Sequence, residues 1–350
     1  MVASEKPESL PVLAITMGDP AGVGAEVALR ALAVGDVHTV CRPVVIGDAG
    51  VLVQALEMLH TPQVVRPIVS LSEACFQSRS VNVLDLANVT WSQLGTGRVS
   101  AMSGKAAVEY VLEAVRLALS GEVEAIVTGP INKEAINLGG YHYIGHTEIL
   151  NELTLAQRTT TMLVAGDLRV THVTRHVPLG EVAGTITFER VLETIEATAR
   201  GLRQFGIEQP RLGVAALNPH GGDGGLIGRE EATVISPAVQ EASQRGIDAH
   251  GPYPADSIFF RAIRGEFDAV VAMYHDQGHI PVKTHDFEGS YTVTLGLPIV
   301  RTSVDHGTAF EIAWQGLASP RSMIEAIRAA AQLATWQRVG HDRQQQGRMM

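Results

Sequence analysis

The sequence is poor in cysteine, in aromatic residues and in long apolar runs, and each shortage closes off a class of protein. Of 350 residues only two are cysteine, Cys41 and Cys75. Two thiols cannot build a disulfide framework, and they lack the paired spacing of a zinc site, so a reducing compartment is expected. Aromatic residues make up 5% of the chain, too few for a platform on which nucleic-acid bases would stack. No apolar stretch approaches the ~18 residues that a spanning helix needs. The N-terminal MVASEKPESL has no basic segment leading into an apolar one, so no secretory leader is expected. Basic residues are outnumbered, 27 Lys and Arg against 37 Asp and Glu, for a formal charge of -10. A net-acidic surface disfavours nucleic acid and anionic membranes as partners. It leaves room for a small anionic ligand held by a few local cations. The expected location is cytoplasmic.

Standard ligand signatures are missing too. The chain contains no G-x-G-x-x-G, no G-x-x-x-x-G-K-[ST], no G-x-S-x-G and no H-E-x-x-H. The glycine clusters at Gly18–Gly24 and Gly221–Gly228 have other spacings. A standard dinucleotide fingerprint, a phosphate-binding P-loop, a nucleophile elbow and a zincin helix are therefore unsupported.

What is present is a core-forming composition, 45% hydrophobic and 18% charged, with length for about two domains. Short β-rich runs alternate with longer helical stretches. Leu13–Thr16, Pro43–Ile46, Ala125–Val127, Leu212–Ala216 and Ala269–Met273 read as strands. Ala25–Leu32 and Lys105–Leu119 read as helices, the second with Val108, Val111, Leu112, Val115 and Leu119 at helical spacing. This alternation predicts an α/β fold with mostly parallel sheets, with polar tails at 1–10 and 341–350. In such folds ligands sit beyond the carboxyl ends of strands, and several strands here run straight into polar or glycine-rich text.

Histidines gather at those strand ends. His176 follows the run Leu168–Thr174, His220 lies in Asn218-Pro219-His220-Gly221, and His275 lies in Tyr274-His275-Asp276-Gln277-Gly278. Three imidazoles on three loops can make an open metal site with a position left for substrate. Each can equally cap its own turn. His172 forms H-x-x-x-H with His176, but in extended text that spacing does not align two rings, so His172 reads as structural. Gly145-His146-Thr147-Glu148 is a turn entering a helix, where Thr147 could cap and an anion would be favoured. Lys283 and Arg301 lie near the same loops and could neutralise a phosphate or carboxylate. Asp19 and Asp256 are short carboxylates in turns and read first as turn-formers.

Seven stretches in order resemble the 4-hydroxythreonine-4-phosphate dehydrogenase family. They are Thr16–Gly24, Thr128–Lys133, Gly145–Glu148, Leu217–His220, Gly251–Asp256, Tyr274–Gly278 and Arg301–Ala309, and the likeness spans roughly residues 11 to 335. The resemblance implies two α/β/α domains flanking a cleft, like those of isocitrate and isopropylmalate dehydrogenases. The first would take residues 11–135 and 295–340, on the nucleotide side; the second would take 136–294, on the metal, substrate and dimer side. It implies NAD- or NADP-linked oxidation of the secondary hydroxyl of a phosphorylated hydroxy acid of the 4-phosphooxy-threonine kind, followed by decarboxylation of the 3-keto product, in pyridoxine biosynthesis. It implies a homodimer with active sites shared between subunits. His176, His220 and His275 match the family's metal ligands, for zinc or else magnesium, manganese or cobalt. His146, Thr147, Lys283, Thr292 and Arg301 match its substrate contacts, and Lys283 and Asp256 are candidates for the base. Asp305, His306, Gly307 and Thr308 match the nucleotide-side loop.

The chain departs from the family in three places. Thr292 stands where the family often has Asn against the substrate. Trp314 stands where Gly is usual in the turn after a helix. His279 and Ile280 resemble a paralogous branch that acts on 4-phospho-threonate or erythronate, or on aromatic cis-dihydrodiols. A phosphate acyltransferase of related architecture and a catalytically silent binding protein are the readings of a different class.

Overall fold

A computed structural model of the chain describes residues 10–77 and 79–348, with the helical backbone alone for 340–348. Among the described residues there are twelve strands: β1 (Val12–Thr16), β2 (Arg42–Gly47), β3 (Val64–Ile68), β4 (Ser80–Asp85), β5 (Ala125–Thr128), β6 (Thr160–Ala165), β7 (Leu168–His172), β8 (Leu212–Ala215), β9 (Ala249–Tyr253), β10 (Ala269–Ala272), β11 (Tyr291–Leu295) and β12 (Val300–Val304). Contacts divide the chain into two compact units, one running to Gln157 and resuming at Leu297, the other Arg158–Gly296. The sequence-based limits fell at 135/136 and 294/295; the units divide at 157/158 and 296/297. The physical reason is packing. Helices Lys133–Leu138 and His146–Thr154 both lie against the long helix Ala101–Leu119 of the first unit.

The first unit carries an all-parallel sheet in the order β3-β4-β2-β1-β5-β12. β1 and β5 are near-continuous apolar runs, as strands covered on both faces must be, and they sit at the centre with Leu13 paired to both Pro43 and Ala125. β3 contains Arg66 and Pro67, is mostly exposed and forms an edge, where a missing N–H does least harm. Helix starts are capped as the sequence allows. Asp48 Oδ1 accepts from Val51 N at 3.0 Å, and Ser100 Oγ from Ser103 N at 3.1 Å.

In the second unit β7, β10, β8 and β9 run parallel, and β6 pairs antiparallel with both β7 and β11. The antiparallel exception comes from the two-residue turn Gly166-Asp167 between Ala165 and its partner Leu168. Its core gathers Leu163, Val170, Ile258, Phe259, Phe267 and Val270. Of the two expected tails, residues 1–9 lie outside the described residues. The other is helix for most of its length, since Arg321–Arg348 continues through it. No helix among the described residues is long and apolar enough to cross a membrane.

Candidate active site

In the first unit the site grows from two neighbouring strand ends. β12 pairs with β5 so that Arg301 lies opposite Ile126. The Arg301 side chain bends to Thr128, donating to Oγ1 from Nε at 3.2 Å and from Nη2 at 2.6 Å. It is 5% exposed, and burial pulls its pKa down to about 9, so it stays charged at neutral pH. A guanidinium stripped of water gains most from an anion that it can fork onto. The charge of Arg301 reaches His146, the first residue of the helix His146–Thr154. Burial first and Arg301 second hold His146 well below the usual histidine range, against an opposing backbone contact with Gly129. His146 is thus a neutral ring at physiological pH, and its buried Nε2 has no hydrogen-bond partner. Thr147 was expected as the cap of this helix. Gly145 takes that position instead, and Glu148 Oε2 accepts from the Ile144 and Gly145 N–H groups at 2.8 Å each.

The loop after β12 carries Asp305, His306, Gly307 and Thr308. Asp305 N donates to Ser322 Oγ at 3.1 Å, and His306 Nδ1 to the Gly307 carbonyl at 2.9 Å. The Thr308 carbonyl accepts from Val23 N at 3.0 Å. Gly22 touches Thr308 so closely that a Cβ would lie 2.9 Å from its side chain and its carbonyl oxygen. The glycine turn before helix Gly24–Leu32 and this loop are therefore packed as one unit, the N–H groups of Ala21, Gly22 and Val23 bonded within it, and Asp305, His306 and Gly307 are its exposed or half-buried part. Asp19 is the turn-former that its sequence suggested, Oδ1 accepting from Ala21 N at 2.9 Å. Burial also pushes its carboxyl up to about 6.

In the second unit the imidazoles gather around the helix His275–His285. His275 and His279 are one helical turn apart and stack at 3.6 Å between centroids, 10° off parallel. His176 stands 5.9 Å from His275, and His172 lies 4.7 Å from His279. His172 is 3% exposed, and burial, ahead of the charges of His279, His275 and Arg175, holds its pKa well below the usual value. The helix passes close enough for this nesting because Gly278 lacks a Cβ, which would sit 2.2 Å from His172 Nε2. His172 and His176 line a polar cleft of about 440 Å³ together with Arg158, Arg175, Arg190 and Arg200.

Two of the three expected metal ligands are thus neighbours. His275 donates from Nδ1 to Asp276 Oδ1 at 2.7 Å, which leaves Nε2 available and the ring oriented by a carboxylate, as ligating imidazoles usually are. His220 stands elsewhere, exposed in a loop with left-handed backbone at His220, Gly221, Gly222, Asp223 and Gly224. Among the described residues no three of His, Cys, Asp and Glu are grouped to hold a metal. One chain therefore fits the ion only in part. Lys283 donates to Ser290 Oγ at 3.1 Å, Thr292 is half-buried on β11, and Asp256 is exposed in the first turn of helix Ala255–Ile263.

Sequence reasoning missed Thr128, whose hydroxyl holds Arg301, and Glu231. The buried carboxylate of Glu231 accepts from Leu217 N at 2.9 Å, Asn218 N at 2.7 Å and Asn218 Nδ2 at 3.0 Å, fixing the base of the His220 loop. The only local signal for Glu231 is an acidic pair, Glu230-Glu231, just beyond a glycine-rich loop.

The chain is similar to known proteins over most of its length. A family model described as pyridoxal phosphate biosynthetic protein PdxA matches residues 39–330. The D-threonate 4-phosphate dehydrogenase of Cupriavidus necator is 47% identical over 327 residues, covering 93% of this chain and 98% of that protein. The crystal structure of a 4-hydroxythreonine-4-phosphate dehydrogenase from Burkholderia phymatum is 48% identical with a TM-score of 0.82, covering 93% of this chain and 99% of that one. A terephthalate 1,2-cis-dihydrodiol dehydrogenase from Burkholderia xenovorans is 30% identical with a TM-score of 0.63, over 93% of this chain and 98% of that one. The class is therefore an α/β, nucleotide-linked oxidoreductase acting on a CH–OH group. Within that class, the chain belongs to the PdxA family.

Proposed function

We propose that the protein oxidises the secondary hydroxyl of D-threonate 4-phosphate with NAD as acceptor. The observation that carries this reading is the end-to-end likeness to the Cupriavidus necator enzyme, 47% identity over nearly all of both chains. Thr292 supports it. Threonate carries a hydroxyl where 4-hydroxythreonine carries an ammonium, and a threonine hydroxyl is a less demanding neighbour for it than a carboxamide.

Arg301 and the helix start at His146-Thr147 hold the anionic ends of the substrate. The neutral ring of His146 exchanges hydrogen bonds with it without adding charge. Lys283 or Asp256 would take the proton of the hydroxyl, and a bound nicotinamide would supply the hydride acceptor. The 3-keto acid that results would lose its carboxylate as CO2 and take up a proton at C2, leaving dihydroxyacetone phosphate. Asp305, His306, Gly307 and Thr308 line the nucleotide. His176, His220 and His275 would hold a divalent ion, zinc first among the candidates, with the set completed by a second subunit of a homodimer. That ion supplies Lewis acidity toward the oxygen being oxidised.

A second reading, 4-hydroxythreonine 4-phosphate as substrate, is favoured by the Burkholderia phymatum likeness. A panel of D-threonate 4-phosphate, 4-hydroxythreonine 4-phosphate and a terephthalate cis-dihydrodiol, followed by NADH absorbance, decides between them. D-threonate 4-phosphate is expected to give the highest kcat/KM, by about tenfold or more. The reverse order gives the second reading, and no NADH from either phosphorylated acid overturns both.

A further inference from the structure

The chain has three tryptophans, and two of them, far apart in sequence, meet in the first unit. The rings of Trp91 and Trp314 lie 4.7 Å apart between centroids, with planes inclined at 51°. Trp314 sits in the left-handed region at φ 63°, a conformation that costs an ordinary residue free energy and persists only where its surroundings impose it. Those surroundings are explicit. Trp314 Nε1 donates to the Pro20 carbonyl at 3.1 Å, and its backbone N–H donates to the buried carboxylate of Glu26. Arg30, one turn further along the same helix, donates to the carbonyls of Gly316 and Ala318. The segment bearing Trp91 is tied to the same turn, since Gly97 N donates to the Ala21 carbonyl at 2.8 Å. That turn, Gly18 to Gly24, also grips Thr308 through Val23 N and Gly22.

We infer that the exposed indole of Trp91, buttressed by Trp314, is the stacking face for the purine ring of the dinucleotide. The inference rests on the nucleotide-linked reading proposed above and names the subsite for the half of the cofactor that does no chemistry. Three facts converge on it. Trp91 keeps 36% of its surface exposed although it is one of few aromatic residues. The pair is joined through one short turn to the loop that ends in Thr308. The strained Trp314 backbone is held by the buried carboxylate of Glu26, with Arg30 tying down the carbonyls of Gly316 and Ala318 just beyond it, so the half-buried Trp314 ring is fixed against Trp91. An indole face stacks on any base, and each such contact is worth about tenfold in affinity.

The test compares NADH with reduced nicotinamide mononucleotide, which lacks the adenylate, by calorimetry on the full-length protein. Trp91→Ala is expected to weaken NADH about tenfold and leave the mononucleotide unchanged, and Trp91→Phe is expected to restore most of the loss. Trp314→Gly removes the buttress while relieving the backbone, so it folds, and it is expected to weaken NADH in the same selective way. Unaltered NADH affinity in Trp91→Ala and Trp314→Gly, whatever happens to oligomeric state, overturns the inference alone. So does equal weakening of NADH and the mononucleotide. Failure of the unmodified protein to bind NADH at all overturns the dehydrogenase reading and this inference with it.

Discussion

Arg301 and Asp19 carry the sharpest consequences at the scale of single residues. Arg301 is a buried cation forked onto Thr128, and a lysine cannot reproduce that fork. Arg301→Lys is expected to raise KM for the phosphorylated substrate by about tenfold or more with the circular dichroism spectrum unchanged; an unchanged KM would remove Arg301 from the site. Asp19 is fully buried, and burial lifts its carboxyl from 3.8 to about 6 in the folded protein. A raised carboxyl pKa means that the folded state binds its proton more tightly than the unfolded state does. Stability from this group is present in full below about pH 4 and is lost as pH rises through about 6. Asp19→Asn keeps the shape without the charge. It is expected to be more stable than the parent by roughly 1–3 kcal/mol above pH 6, with the difference shrinking as pH falls toward 4. Urea unfolding across that range measures it, and a difference independent of pH would contradict the assignment.

Among elements, the His220 loop and the His275 helix were the least legible in the sequence, for opposite reasons. The loop has glycine at 221, 222, 224 and 225, which signals freedom of backbone but not its hand, and His220 and Asp223 are carried into left-handed geometry with them. What fixes the loop is the carboxylate of Glu231, which the sequence announces only as one of an acidic pair beyond the glycines. Glu231→Ala leaves the half-buried N–H groups of Leu217 and Asn218 without their acceptor, while the Asn218 amide keeps Glu230, and is expected to cost on the order of 2–4 kcal/mol. Hydrogen exchange at Leu217 and Asn218 is expected to quicken with it; protection as in the parent would show that the loop holds itself. The His275 helix contains Gly278 and Pro281, which argue against a helix on propensity alone. It forms because Gln277 joins two strand ends, accepting from Met273 N and donating to the Ala216 carbonyl at 2.7 Å each. The apolar strands β1, β5, β8 and β10 were legible because each is a short buried run whose neighbours in sequence are turns.

Over the whole molecule, the α/β class and the family followed from alternation and from seven motifs in order, whereas the division into units did not. Where a unit ends depends on which helix packs on which, and helix His146–Thr154 gives no local sign that it belongs with Ala101–Leu119. The metal set is legible as residue types but incomplete as geometry, since His176 and His275 meet while His220 does not join them. On the proposed function a second subunit would complete the set, and chelation is expected to abolish turnover with zinc restoring it. Full, chelator-insensitive activity in His220→Ala would contradict the metal role. The most direct measurement is the product balance from D-threonate 4-phosphate and NAD with the full-length protein. Equal amounts of NADH and dihydroxyacetone phosphate are predicted. A folded protein that binds the substrate and yields no NADH would contradict the assignment.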